Sequence, residues 1–470
     1  MQKYTLLASI RRLLSQNTVI LRFYDVVLFI LIYFVSTFTS SIKFMLKYIL
    51  SLLSFLTCSV LFAAPSYPDF FTENACRVDF HFCGNARQTS VYLDGVKQEP
   101  FWGGRRNLLD SDLNLGDFRF RVLDSLTQKV IYGNGFSALF REWQSTPEAS
   151  TTSKSFEQAI QFPFPKKAVV LLIEKRIDFD QWQELFRYNL SPTDKLIEKR
   201  VPPPVPVNTI QKGTTPDKGI DIAVIAEGYT GAEQEKFYKD AQQLLKNLCT
   251  HEPFASNRNR INLYAIAAPS EDSGVSVPQD SVWKNTAVGS NFYTFYEPRY
   301  LTTLNVKKVY DYAALVPYDA IYILANTSRY GGGGIYNFYT LVTSDNQYTT
   351  QVSVHEFGHS FGGLADEYFY EKQDVLADMY DLKKEPWEPN ITTLVKFDTK
   401  WKNDLPTGTP VPTPSVEPYK NKVGVFEGGG YITKGMFRPS FDCRMRTNSY
   451  PEFCPVCRKA IEKLIHFLTE

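Results

Sequence analysis

Hydrophobic and polar positions along the chain follow two rhythms, and the change comes near residue 200. From about Cys76 to Arg176 the period is two. In "DFRFRV", Phe118, Phe120 and Val122 alternate with Arg119 and Arg121, the pattern of a strand with one buried and one wet face. Runs at Val78–Phe82, Ser90–Leu93, Lys129–Tyr132 and Ala168–Ile173 predict further strands and, together, a small β-sandwich. "VPPPVPV", Val201–Val207, is a stiff extended spacer. Beyond it "IDIAVIAEGY" predicts a buried strand, and Thr230 with Glu233 a capping box. The helix so opened buries Phe237, Ala241, Leu244, Leu245 and Leu248. Strands at Ile261–Ala267 and Ala320–Ala325, with a helix near Val306–Leu315, complete an α/β layout. In "GGGGIYNFYTLVTSD" no Gly-Lys-Ser/Thr follows the glycines, which argues against a phosphate cradle. Gly331–Gly334 reads as a mobile turn feeding a strand over Ile335–Val342. A last helix, in "CPVCRKAIEKLIHFL", buries Ile461, Leu464, Ile465 and Leu468.

Length and charge refine this picture. A chain of 470 residues is too long for one ordinary domain. The reading is α+β overall: a leader over 1–64, a β-sandwich over 65–200, a Pro-rich linker over 201–218 and an α/β domain over 219–470. With 51 basic against 50 acidic residues, there is no basic excess to neutralise phosphates, so nucleic acid and anionic membrane are excluded as electrostatic partners. In the leader, the apolar run Val26–Phe38 is short for a bilayer-crossing helix. The second run reads as a secretory signal with translation starting at Met45: a basic start ending at Lys47, an apolar core over Ile49–Phe62 and a small-residue cleavage site at Ala63-Ala64. The expected product is exported, with no membrane span in the mature chain. Cys76, Cys83, Cys249, Cys443, Cys454 and Cys457 remain after cleavage, and an oxidising compartment permits disulfides between them. "CPVC" with Cys443 is also three quarters of a zinc knuckle; export favours a stapled C-terminal loop.

The chemistry lies in "VSVHEFGHSFGGLADEY", Val352–Tyr368. Val354, Phe357, Phe361 and Leu364 form an apolar helical stripe, and His355 and His359 share another face, one turn apart, where both imidazoles reach one ion. Glu356 is then held near that ion without binding it. Zinc suits such a site because it lowers the pKa of bound water to about 7. Glu356 takes the proton and passes it to a leaving amine. The bland alternative is a pair of ordinary helix histidines. Gly362 and Gly363 end the helix and turn the chain back, which brings a third ligand up from below.

The same stretch, "HEFGHSFGGLADEY", resembles the motif of the IgA-protease family of zinc metallo-endopeptidases, a group similar to the metzincins. "GFSALFREWQSTPEA", Gly135–Ala149, resembles that family's N-terminal β-rich domain, and "AEGYT", "PSEDSG", "YGGGGIYNFY", "VGVFEGGGY" and "CRMR" followed by "CPVC" resemble its catalytic domain. The likeness runs from about Phe70 onward. It implies a metzincin-like zinc-protease domain acting on polypeptide. Metzincins place the third ligand where this chain has Ala365, which cannot bind zinc. Asp366, one residue later, is the implied third ligand, with Glu367 the runner-up through its longer arm; either carboxylate could instead orient His359. Met445 in "CRMRT" is similar to the methionine turn that underlies the metal without ligating it. Tyr450, and equally Tyr368, are candidates to hydrogen-bond the oxyanion of a tetrahedral intermediate. In similar enzymes the edge strand before the active helix pairs with extended substrate, which gives Ile335–Val342 that role.

Two other classes stay open on the sequence. One is a non-catalytic surface-binding protein with a relic protease domain, against which an intact Glu356 counts. The other is a zinc hydrolase of a non-peptide bond. No residue here encodes a preference for immunoglobulin.

Overall fold

The computed structural model describes residues 27–30, 32, 47, 66–110, 113–199, 204–370 and 379–470. The chain divides into two units, Met1–Ala64 and Pro65–Glu470. The expected leader, with its start at Met45 and its cleavage site, lies almost wholly outside the described residues. Among the described residues no helix is long and apolar enough to cross a membrane.

Alternation in the N-terminal half of the larger unit produces seven strands: β1 (Phe71–Gly84), β2 (Thr89–Glu99), β3 (Phe118–Asp124), β4 (Val130–Phe136), β5 (Lys154–Pro165), β6 (Val169–Asp178) and β7 (Gln181–Leu190). They form two antiparallel sheets, ordered β2-β1-β5 and β4-β3-β6-β7. The inward rings meet across the gap, Phe82 against Phe118 at 4.4 Å and Phe120 against Phe162 at 6.1 Å between centroids. This is the predicted sandwich. Two of its strands have no clear sequence signal. In β5 the buried set includes the polar Gln158 beside Ala159, which hides the alternation, and β7 keeps most of its length exposed or half-exposed. A short helix, α1 (Leu139–Trp143), follows β4.

The rest centres on a six-stranded sheet built from β8 (Val207–Lys212), β9 (Ile220–Glu227), β10 (Ile261–Ile266), β11 (Ala320–Ala325), β12 (Gly332–Ile335) and β13 (Tyr339–Thr343), in the order β12-β13-β11-β9-β10-β8, with a separate antiparallel hairpin of β14 (Phe426–Gly429) and β15 (Ile432–Arg438). Its inner four strands run parallel and its two edges antiparallel. A parallel sheet needs cover on both faces, which is why β9 is apolar and buried nearly throughout. Ile222, Val224 and Ala226 pack with helices α2 (Gln234–Leu248) and α4 (Thr349–Ser360), while Ala223 and Ile225 join the core of the sandwich. The capping box of Thr230 and Glu233 forms, ahead of α2. Helix α3 (Val306–Ala313) packs on the sandwich side, and α5 (Pro455–Thr469) buries Ile461, Leu464 and Ile465, with Leu468 packed at the margin.

Two expectations change. Residues 207–212, inside the expected linker, form the edge strand β8, and one hydrophobic cluster runs from the sandwich into the sheet. The expected boundary therefore crosses a shared core. The glycine run, read as a mobile turn, is itself the edge strand β12, and the turn comes after it, at 336–338. Its glycines have a steric cause. A Cβ on Gly334 would lie 2.1 Å from the carbonyl oxygen of Glu356, and one on Gly332 2.9 Å from the Glu356 side chain. Only bare backbone lets α4 lie this close to the sheet.

Candidate metal centre and its cavity

Helix α4 ends at the predicted glycines. Gly363 takes φ +61°, its N–H donates to the carbonyl of His359 at 3.0 Å, and that of Leu364 to Gly358 at 3.1 Å. This paired closure turns the chain back under the helix. The returning segment is pinned by Asn390, whose side chain accepts from Ala365 N–H at 2.8 Å and donates to Ala365 O at 2.9 Å. Successive residues of an extended segment face opposite ways. Asp366 turns up to the histidines and Glu367 turns down, away from them.

The two imidazoles are oriented from behind. His355 Nδ1 meets the carbonyl of Arg444 at 3.0 Å, and His359 Nδ1 that of Leu364 at 2.6 Å. A carbonyl only accepts, so both Nδ1 atoms carry their protons and both Nε2 atoms are the ones turned toward a shared point, where they are free to ligate an ion. Those Nε2 atoms lie 3.1 Å apart. Asp366 Oδ1 sits 3.0 Å from one and 3.3 Å from the other. Three ligand-type atoms thus converge on one point, and in the absence of an ion, against the opposing effect of burial, the Asp366 carboxylate pushes His359 up to about 9. Such a triangle is stable around a cation, and two imidazoles with a carboxylate suit a divalent transition metal. The other carboxylate oxygen, Oδ2, accepts from the hydroxyl of Tyr431 at 2.5 Å.

Beneath α4 runs the segment containing Met445. A Cβ on Gly358 would lie 2.6 Å from the Met445 sulfur, so the glycine is what admits the thioether. Met445 is fully buried, and its carbonyl accepts from Glu367 N–H at 2.8 Å. One turn therefore holds both segments that bear the candidate ligands: Arg444 through His355, and Met445 through the strand of Asp366.

Above the triangle opens a cavity of 430 Å³ lined by Glu356, Gly334, Tyr368 and Tyr431, with Asp117, Ser137 and Glu142 brought to its wall by the sandwich. Burial pushes the Glu356 carboxyl above its ordinary value, with the neighbouring histidines pulling more weakly the other way. Burial likewise pushes Glu142, on α1, up to about 7, against the hydroxyl of Tyr300 that donates to it.

Of the predicted residues, the structure brings together His355, Glu356, His359 and Asp366, with Met445 below and Tyr368 on the wall. It directs Glu367 elsewhere: its Oε1 lies 3.0 Å from Asn390 Nδ2 and 3.1 Å from the sulfur of Cys457. Tyr450 does not line the cavity. The charges that act on it are those of Cys443, Cys454, Asp442 and Glu452. Strand Tyr339–Thr343 is paired on both sides and has no edge to offer; the outer strand is β12, whose Gly332 is already bonded to the 299–301 segment, its N–H donating to Arg299 at 3.3 Å and its carbonyl accepting from Leu301 at 3.2 Å. The expected stapling is also absent: all six cysteines described are free. Sequence reasoning missed Tyr431, Asn390 and Glu142. Tyr431 and Glu142 lie in recognised motifs but are marked by no spacing, and Asn390 has no local signal at all.

A family model described as IgA Peptidase M64 matches residues 208–420 and 415–465, and one described as Peptidase M64 N-terminus matches residues 66–187. No curated protein matches the chain.

Proposed function

Since the chain belongs to the IgA peptidase M64 family, and is therefore a peptidase with polypeptide as its substrate, we propose that it is a metzincin-like zinc endopeptidase. In this reading His355, His359 and Asp366 hold the ion and Glu356 handles the proton. The observation that carries it is the convergence of His355 Nε2, His359 Nε2 and Asp366 Oδ1 in one triangle. Bonds of about 2.05 Å to a tetrahedral ion put neighbouring ligand atoms about 3.3 Å apart. The separations of 3.0, 3.1 and 3.3 Å lie within a few tenths of that.

Zinc would supply Lewis acidity to water and to the scissile carbonyl. The chain supplies the rest. Glu356, on the next position of the helix to His355, accepts a proton on its carboxylate and returns it to the leaving nitrogen, and its burial-raised affinity for protons suits a group that must hold one between two steps. Tyr431 and the carbonyls of Arg444 and Leu364 keep the three ligands in register. Past Gly332, whose N–H and carbonyl are taken by Arg299 and Leu301, the edge of β12 at Gly334 on the cavity wall would meet an extended peptide. The signal-like segment ending at Ala64 supports export.

The test is Glu356→Gln, assayed for metal content and for cleavage of an unfolded polypeptide. Full metal occupancy with cleavage reduced by three or more orders of magnitude is expected. Wild-type protein that holds zinc and cleaves no polypeptide refutes the reading and leaves the relic or the non-peptide hydrolase.

A further inference from the structure

Below the centre lies a second cluster that the proposed reaction does not use. The sulfurs of Cys443, Cys454 and Cys457 and a carboxylate oxygen of Glu367 all lie within 4.8 Å of one another. All four residues are buried, none more than 1% exposed. We propose that these four residues form a second metal site, a structural zinc centre of three thiolates and one carboxylate.

Geometry and accounting both point there. Zinc–sulfur bonds of about 2.3 Å place the sulfurs of a tetrahedral site about 3.8 Å apart. Cys443 and Cys457 are 3.8 Å apart. The backbone N–H of Cys454 donates to the sulfur of Cys443 at 3.2 Å, an arrangement that favours a thiolate acceptor. Cys454 caps α5 and Cys457 lies in its first turn, so the helix start itself sets the two ligands one turn apart. Glu367 contributes Oε1, 3.1 Å from the sulfur of Cys457, while its Oε2 is buried with no donor. A disulfide between any two of these cysteines would leave the third thiol and a buried carboxylate uncompensated. A divalent ion satisfies all four, and three sulfurs select zinc over magnesium or calcium.

The position gives the site its work. Glu367 follows Asp366 and donates its N–H to Met445, and Cys443 precedes Arg444, whose carbonyl orients His355. The second ion would pin from beneath both segments that align the upper one. Its four ligands are positioning residues.

Zinc is counted in the full chain purified under reducing conditions, as wild type and as His355→Ala/His359→Ala, each with and without Cys454→Ser/Cys457→Ser. We expect two equivalents in wild type and one in the histidine variant. The combined variant should hold none. Cobalt loaded into the histidine variant should show a sulfur-to-cobalt charge-transfer band. A histidine variant that is folded yet zinc-free, or that takes cobalt without that band, overturns the proposal. So does peptide mapping that finds Cys443, Cys454 or Cys457 in a disulfide. If the cysteine variants fail to fold, the wild-type and histidine-variant counts still decide. One equivalent in wild type, lost with the histidines, overturns this site alone and leaves the upper one standing.

Discussion

Tyr431→Phe removes one oxygen atom and tests the orientation of Asp366 directly. The hydroxyl donates to Asp366 Oδ2 at 2.5 Å, Asp366 is 5% exposed, and the phenol of Tyr368 is a second group beside it. A hydrogen bond to a charged group is worth about 1.5–3 kcal/mol. At about 1.4 kcal/mol per tenfold, the ion should be held about 10- to 100-fold less tightly, with the burial of Asp366 favouring the upper end. The assay is equilibrium competition for zinc against a chelator of known affinity, with thermal melting of the metal-free protein alongside to show an intact fold. Tyr330→Phe is the control. That hydroxyl also lies on the cavity wall, but it accepts from Asn448 at 3.1 Å and is bonded to none of the three ligands. It should leave affinity unchanged. If Tyr431→Phe melts normally and binds zinc within about twofold of wild type, the argument that a buried partner fixes this ligand is wrong.

Two further outcomes follow from the packing. Gly334→Ala places a Cβ 2.1 Å from the Glu356 carbonyl and 3.0 Å from His359 Cβ. The helix must retreat by about 1 Å, costing about 1–3 kcal/mol in urea unfolding and lowering kcat/KM by about 100-fold; an alanine variant with unchanged activity would sink the close-approach explanation of the glycine run. Glu233, against the opposing effect of burial, is held at about 2 by hydrogen bonds from Thr230, Ser273 and Asn326. Its folded pKa is depressed, so its contribution is fully present above the unfolded value of about 4.3 and lost as pH falls toward about 2. The stability gap between wild type and Glu233→Gln should stay level from neutral pH to about 5 and then close; a gap that widens on acidification contradicts the sign.

The features of this molecule legible in the sequence are those where one residue type at one spacing has one physical meaning. Val354, Phe357, Phe361 and Leu364 mark a helix, so the relation of His355 to His359 follows without a structure. Thr230 with Glu233 marks a helix start for the same reason. The glycine run misled because glycine has two uses, to bend a chain and to let another segment close, and only the neighbour at Gly334 tells which applies. Asp366 and Glu367 are adjacent carboxylates in the sequence, and only the facing of the returning segment tells which one points at the histidines. Asn390 and Tyr431 act from 24 and 65 residues beyond Asp366. Such contacts leave no local periodicity to read.

The sandwich and the six-stranded sheet share more than a surface. Ala223, Ile225, Ile266, Ile321, Ile323 and Leu341 belong to the same apolar cluster as Phe82, Phe118 and Phe162. The two family matches stop and start on either side of the proline run, so in sequence the halves look like cassettes that a genome could shuffle. In water they are not interchangeable. A gene fragment beginning at residue 204 would expose one whole face of its sheet and remove Asp117, Ser137 and Glu142 from the cavity wall. The N-terminal half is in that sense a permanent, covalently attached subunit of the enzyme.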